Sequence, residues 1–156
     1  MPLKDEKIEI ALNLMKELLR LMGMKADVEA SLIGEELYLN ISSQKEDVLI
    51  GKHGRTLEAL QFLFNRMMNK QVKEGMRIFI DINQYKERRA DSLKEMAARL
   101  GKRVKRTSKP IKIGPFNPHD RRIIHLALKE DPSLTTESLG EGQMKKIRII
   151  PTRKAS

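Results

Sequence analysis

Val48-Leu49-Ile50-Gly51-Lys52-His53-Gly54-Arg55-Thr56-Leu57 is the stretch on which the rest of the chain turns. An apolar run stops at Gly51, a cation and a histidine follow, and Gly54 opens a long helical pattern. Glycine has no Cβ, so its backbone can touch a ligand and adopt positive φ at little cost. The helix that follows aims backbone N–H groups and a positive dipole end at the loop. Lys52, His53 and Arg55 add side-chain donors and charge. Such a loop suits a sugar–phosphate backbone. A lone Gly-x-x-Gly also marks an ordinary bend between two helices, so the flanking sequence has to decide.

Upstream, Ile8, Ala11, Leu12, Met15, Leu18, Leu19 and Met22 recur at offsets of three and four, which predicts an amphipathic helix from residue 4 to Gly23. Val28, Ala30 and Leu32 alternate, and Leu37, Leu39 and Ile41 alternate again across Gly34-Glu35, which predicts a hairpin. Ser42-Ser43 is placed to cap a short helical turn over Asp47–Ile50. Past the loop, a helix from Arg55 to about Val72 carries Leu57, Leu60, Phe62, Leu63, Phe64, Met67 and Met68, all read as core. Ile78, Ile80 and Ile82 share one face of a strand over 76–82. The order is α-β-β-α-α-β over residues 1–83.

A second unit is expected over 84–151. Residues 84–106 read as a long charged helix with apolar Leu93, Met96, Ala97 and Leu100 and a basic end at 102–106. Ile111 and Ile113 suggest a short strand, and residues 115–118 a turn. Asn117 and Pro118 form a cap and first position for a helix bearing Ile123, Ile124, Leu126, Ala127 and Leu128. Two strands, 134–139 and 145–150, join through Gly140-Glu141-Gly142, and residues 152–156 read as a frayed tail. The fold class is therefore α+β.

The net charge of +10 is not spread evenly. Residues 1–83 hold 12 Lys/Arg against 13 Asp/Glu, and residues 84–156 hold 19 against 8. A localised basic field is what a polyanion partner requires. With no cysteine, disulfides, thiol nucleophiles and Cys-ligated metals are excluded. The three histidines show no ligand spacing with Asp or Glu, so no metal or cofactor is expected. Gly51-Lys52-His53-Gly54 lacks the Gly-Lys-Ser/Thr ending of a P-loop. No enzyme set emerges. No apolar run approaches the roughly 20 residues of a membrane span, and the charged amphipathic N-terminus is unlike a secretory signal. A cytoplasmic protein is expected.

The α-β-β-α-α-β order with Gly-x-x-Gly between its last two helices resembles a type II KH domain. That resemblance makes Gly51, Lys52, His53 and Gly54 the clamp, with Arg55 at the helix start, and implies a base groove that Ile50 and Leu57 either line or, as ordinary core, do not. Further on, Pro118-His119-Asp120-Arg121-Arg122-Ile123-Ile124-His125-Leu126-Ala127-Leu128, followed by Thr136-Glu137-Ser138-Leu139-Gly140-Glu141, resembles the Arg-x-x-x-His domain. Arg121 and His125 match that motif and fall on one helical face, with Arg122 beside them. The pair of domains resembles the Jag family of bacterial RNA-binding proteins, also called KhpB. The resemblance implies a non-catalytic binder of single-stranded RNA, in the role of a post-transcriptional regulator. The same chemistry permits single-stranded DNA. An interaction scaffold is the alternative of another class, paired with a second copy, a partner KH protein or a membrane-associated complex. The family's separate N-terminal domain is not expected here, because the first KH helix already begins at residue 4. His53 stands where a Lys or Arg is frequent, and histidine is mostly neutral at pH 7, so the clamp leans on Lys52 and Arg55. Aromatics are only 4% of the chain, which argues against broad stacking platforms.

Overall fold

The computed structural model describes residues 2–153. The chain divides into two compact units between Lys86 and Glu87. In the first, helix α1 (Pro2–Leu21) precedes strands β1 (Ala26–Ile33) and β2 (Glu36–Ser43). Then come a short helix α2 (Glu46–Ile50), a 3₁₀ turn at Lys52–Gly54, helix α3 (Arg55–Gln71) and strand β3 (Ile78–Ile82). The sheet order is β1-β2-β3, antiparallel between the first pair and parallel between the second. The antiparallel pair runs in unbroken register from Ala26 opposite Ser43 to Ile33 opposite Glu36.

One face of this sheet is buried. Leu37, Leu39 and Ile41 from β2 and Ile78, Ile80 and Ile82 from β3 close over Ala11, Met15 and Leu19 of α1 and Leu57, Leu60, Phe64 and Met68 of α3. Each buried aliphatic of this size contributes about 1.5–3 kcal/mol relative to exposure. Ile50 and Leu57 both belong to this core, 6% and 3% exposed, and not to an open groove.

Three expectations need correction. Phe62 and Leu63 face solvent, at 68% and 51% exposure. At about 100° per residue, positions 57, 60, 64 and 68 form one stripe, and 62 and 63 point away from it. Ser43 does not cap α2. It ends β2, and its Oγ accepts from the Lys45 N–H and donates to the Lys25 carbonyl, both at 3.2 Å. The residue preceding α2 is Lys45, which makes no side-chain cap. Residues 115 and 116 are strand, not turn (below).

Side chains seal the outer edge of β3. Asn65 Oδ1 accepts from the Ile78 N–H (3.0 Å), its Nδ2 donates to the Ile78 carbonyl (2.8 Å), and Gln61 Oε1 accepts from the Ile80 N–H (3.0 Å). At the end of β3, Asn83 bonds both the N–H and the carbonyl of Ser43 and donates to Glu46 Oε2 at 2.7 Å. That amide fixes the end of β2 and the start of α2.

Helix α4 (Tyr85–Thr107) crosses the division, and the remainder forms the second unit. Strand β4 (Ile111–Phe116), helix α5 (Pro118–Leu128), and strands β5 (Leu134–Leu139) and β6 (Lys145–Pro151) follow. The sheet order is β4-β6-β5, antiparallel throughout. β4 carries Pro115 because it is an edge strand, where the missing N–H costs nothing. Its register shifts between Ile113 and Phe116, which drops the Phe116 ring into the core. Leu93, Ala97, Val104, Ile124, Leu128, Leu134, Ile147 and Ile149 complete that core. Asn117 caps α5 through Oδ1, which accepts from the Asp120 N–H at 2.7 Å, with Pro118 at the first position. Of the expected tail, Thr152 bonds back to Ser133 and Pro132, and residues 154–156 lie outside the described residues. Among the described residues, no helix is long and apolar enough to cross a membrane.

Candidate nucleic-acid interface

The sequence-selected residues form two sets, one in each unit. In the first, the chain leaves α2 and reaches α3 through three residues of positive φ. Gly51 has φ 71° and ψ −178°, a combination essentially confined to glycine. A Cβ there would lie 2.1 Å from Thr56 Oγ1. His53 (φ 57°, ψ 26°) and Gly54 (φ 79°, ψ 12°) are left-handed. Gly54 is buried, and a Cβ on it would come within 2.9 Å of the Tyr85 ring. The loop is thus pressed against α3 on one side and Tyr85 on the other. Lys52, His53 and Arg55 are exposed around it. Among the described residues no ion pair takes up Lys52 or Arg55. The 17-residue α3 directs its positive dipole end at this loop. The result is a cationic rim on a backbone with no side chains at its closest points, a shape that admits an anion.

In the second unit, α5 places Arg121 and His125 against β5. His125 uses both ring nitrogens, Nδ1 with Thr136 Oγ1 at 2.5 Å and Nε2 with Ser138 Oγ at 3.1 Å. Arg121 Nη1 reaches the same Ser138 Oγ at 3.4 Å, and Nη2 donates to the Gln143 carbonyl at 3.2 Å. Its Nε is buried with no hydrogen-bond partner. A guanidinium with five donors, two long bonds and one orphaned N–H has capacity left for an anion. Arg122 is exposed and stands outside this hydrogen-bonded group. Asp120, next to Arg121, is 3% exposed and pairs with Arg89 of α4.

Sequence reasoning missed Thr56, Tyr85, Thr136, Ser138 and the Arg89–Asp120 pair. Thr136 and Ser138 carried a signal, since residues two apart on a strand share a face. Among the described residues, no cluster of three His, Asp or Glu could hold a metal ion.

Burial first, and the Arg121 guanidinium second, hold the His125 imidazole below the ordinary histidine pKa. It is therefore neutral at pH 7, and Arg121 carries the charge of this set. The unfolded chain takes up the proton first, so the stability gained by keeping His125 neutral is complete above about pH 6.5 and is lost as pH falls through the folded value. His125→Gln should flatten that acid slope in a series of unfolding curves from pH 7.5 to 5. Parallel slopes in both proteins would contradict the assignment.

Two family models match the chain. One describes the KH domain of KhpA/KhpB and covers residues 9–82, and the other describes the Arg-x-x-x-His (R-3-H) domain and covers 91–151. An RNA-binding protein KhpB of Clostridium symbiosum is 33% identical over 148 residues, which is 94% of this chain and 67% of that protein. One of Bacillus subtilis is 28% identical over 96% of this chain and 73% of its own. One of Lactiplantibacillus plantarum is 33% identical over 85% of this chain, but only 41% of its own length is spanned.

Proposed function

Since the chain belongs to the KhpB family of non-catalytic RNA-binding proteins, we propose that it binds single-stranded RNA through both units. In this reading residues 1–83 are the KH domain, and the Gly51–Gly54 loop with Arg55 grips the backbone. Residues 84–151 add the basic helix and the Arg-x-x-x-His domain, where Arg121 supplies the charge, His125 aims it and Arg122 assists. The protein then acts as a post-transcriptional regulator. The observation that carries the reading is the loop itself. Gly51 holds a conformation other residues avoid, just ahead of a long helix and beside the exposed Lys52 and Arg55, which among the described residues no ion pair takes up.

Fluorescence anisotropy with matched single-stranded RNA and DNA tests this. Affinity should fall steeply between about 50 and 200 mM salt, by a log–log slope of roughly −0.7 per neutralised phosphate. Lys52→Asp/His53→Asp should abolish binding. Arg121→Ala should weaken it by about 1.5–3 kcal/mol, the worth of a hydrogen bond to a charged group, or roughly 10–150-fold. Equal affinity for DNA would remove any 2′-OH contact from the account. A wild type that binds neither strand, or binds independently of salt, overturns it.

A further inference from the structure

Residues 1–83 have one more acid than base, yet four of their cations meet in one place. Lys16, Arg20, Lys25 and Lys45 line a cavity of about 1060 Å³ at the C-terminal end of α1, the start of β1 and the end of β2. Asp27 is the one acid in its lining. Arg20 is engaged by Glu17, at 2.6 and 2.9 Å. Among the described residues no ion pair takes up Lys16, Lys25 or Lys45, and all three are exposed. Cations gathered around a cavity with so little counter-charge repel one another and raise the local concentration of anions. The wall is held firmly, because Asn83, which also lines it, is bonded to Ser43 and Glu46.

The position gives the cavity a meaning. Lys45 directly precedes α2 and Gly51 directly follows it. A five-residue helix is about 7.5 Å long, so cavity and loop stand at the two ends of one short element. At about 3.4 Å per stacked nucleotide, two or three nucleotides cover that distance.

We propose that this cavity is a second phosphate-binding site, taking the phosphodiester backbone of the RNA strand as it leaves the Gly51–Gly54 loop. The proposal rests on the reading that the loop grips single-stranded RNA. It extends the contacts of the first unit beyond the four or so nucleotides that a KH clamp holds, and assigns Lys16, Lys25 and Lys45 to the strand.

The test compares the full-length wild type with Lys16→Ala/Lys25→Ala, on RNA of about four and about ten nucleotides sharing one core sequence. Both substitutions are at exposed positions, and a melting curve verifies the fold. The variant should bind the short RNA as wild type does. On the long RNA it should lose about tenfold, and its log–log salt slope should shrink by about 1.4, two phosphates' worth. If wild type binds both lengths and the variant matches it on both, the cavity proposal fails and the clamp reading survives. If wild type binds neither, both fail together. A melting shift of wild type by AMP that is lost in the variant, with no length effect on RNA, would make the cavity a free-nucleotide site and overturn the strand assignment.

Discussion

Asp120→Ala should cost the second unit about 3–5 kcal/mol, the penalty for leaving a buried charge without its partner. The Asp120 side chain is 4% exposed, and Arg89 donates to its Oδ2 from Nε at 3.2 Å and from Nη2 at 2.9 Å. Removal takes from Arg89, itself only 20% exposed, the carboxylate to which it donates twice. A unit of roughly 70 residues has about 4–10 kcal/mol of stability at 0.05–0.15 per residue, so the loss takes much or all of it. Asp120→Asn keeps the shape and a side-chain oxygen that can accept from Arg89, and should lose less. Urea unfolding followed separately in the two units, for example by resolved NMR signals, reads the effect. A fall below about 1 kcal/mol would mean the pair is screened like a surface bridge. Arg121 is the next residue, so RNA binding by this unit should disappear along with its fold.

Gly51→Ala should damage the first unit in a different way, by locally rebuilding the loop. The conformation at Gly51 costs an L-residue about 1–3 kcal/mol. The added carbon would also meet Thr56 at its Oγ1 (2.1 Å), Cβ (2.8 Å) and backbone N (3.0 Å). The hydroxyl can rotate, but the nitrogen belongs to the first turn of α3. Gly51→Ala/Thr56→Ala should therefore recover only part of the loss. Gly54→Ala should be milder, since its left-handed region is open to L-residues at about 1–2 kcal/mol and its closest neighbour is the Tyr85 ring. RNA affinity should fall at least about tenfold in Gly51→Ala, one step of 1.4 kcal/mol, with the melt of the second unit unchanged. Wild-type affinity in that variant would remove the loop from the interface.

What could be read from the sequence was what local physics decides. Alternation gave the β1–β2 hairpin, and Asn117-Pro118 gave the start of α5, because strand faces and caps depend on neighbours in the chain. Phe62 and Leu63 were misread because hydrophobicity was counted without its angle around α3. Phe116 was misread because Pro115 and Pro118 suggested a turn, whereas Pro115 is tolerated in an edge strand and Pro118 opens α5. For the site, Arg121 and His125 were legible as a four-residue spacing. Their holders were not legible as such: Thr136 and Ser138 showed only a shared strand face, and their contact with α5, like that of Gln143, comes through tertiary pairing. Asp120 stands in the first turn of α5. Its partner Arg89 lies 31 residues earlier, beyond any local pattern.

The amides of Asn65 and Gln61 along β3 bear on assembly. Endless stacking of sheets edge to edge needs two free margins on every copy, one to give and one to receive. Among the described residues, side chains take up the β3 margin at Ile78 and Ile80, which leaves the β1 margin, and β1 carries Asp27 and Glu29. Pairing through that margin closes after two copies, so strand addition can make a twofold pair of this unit but cannot propagate into a fibre.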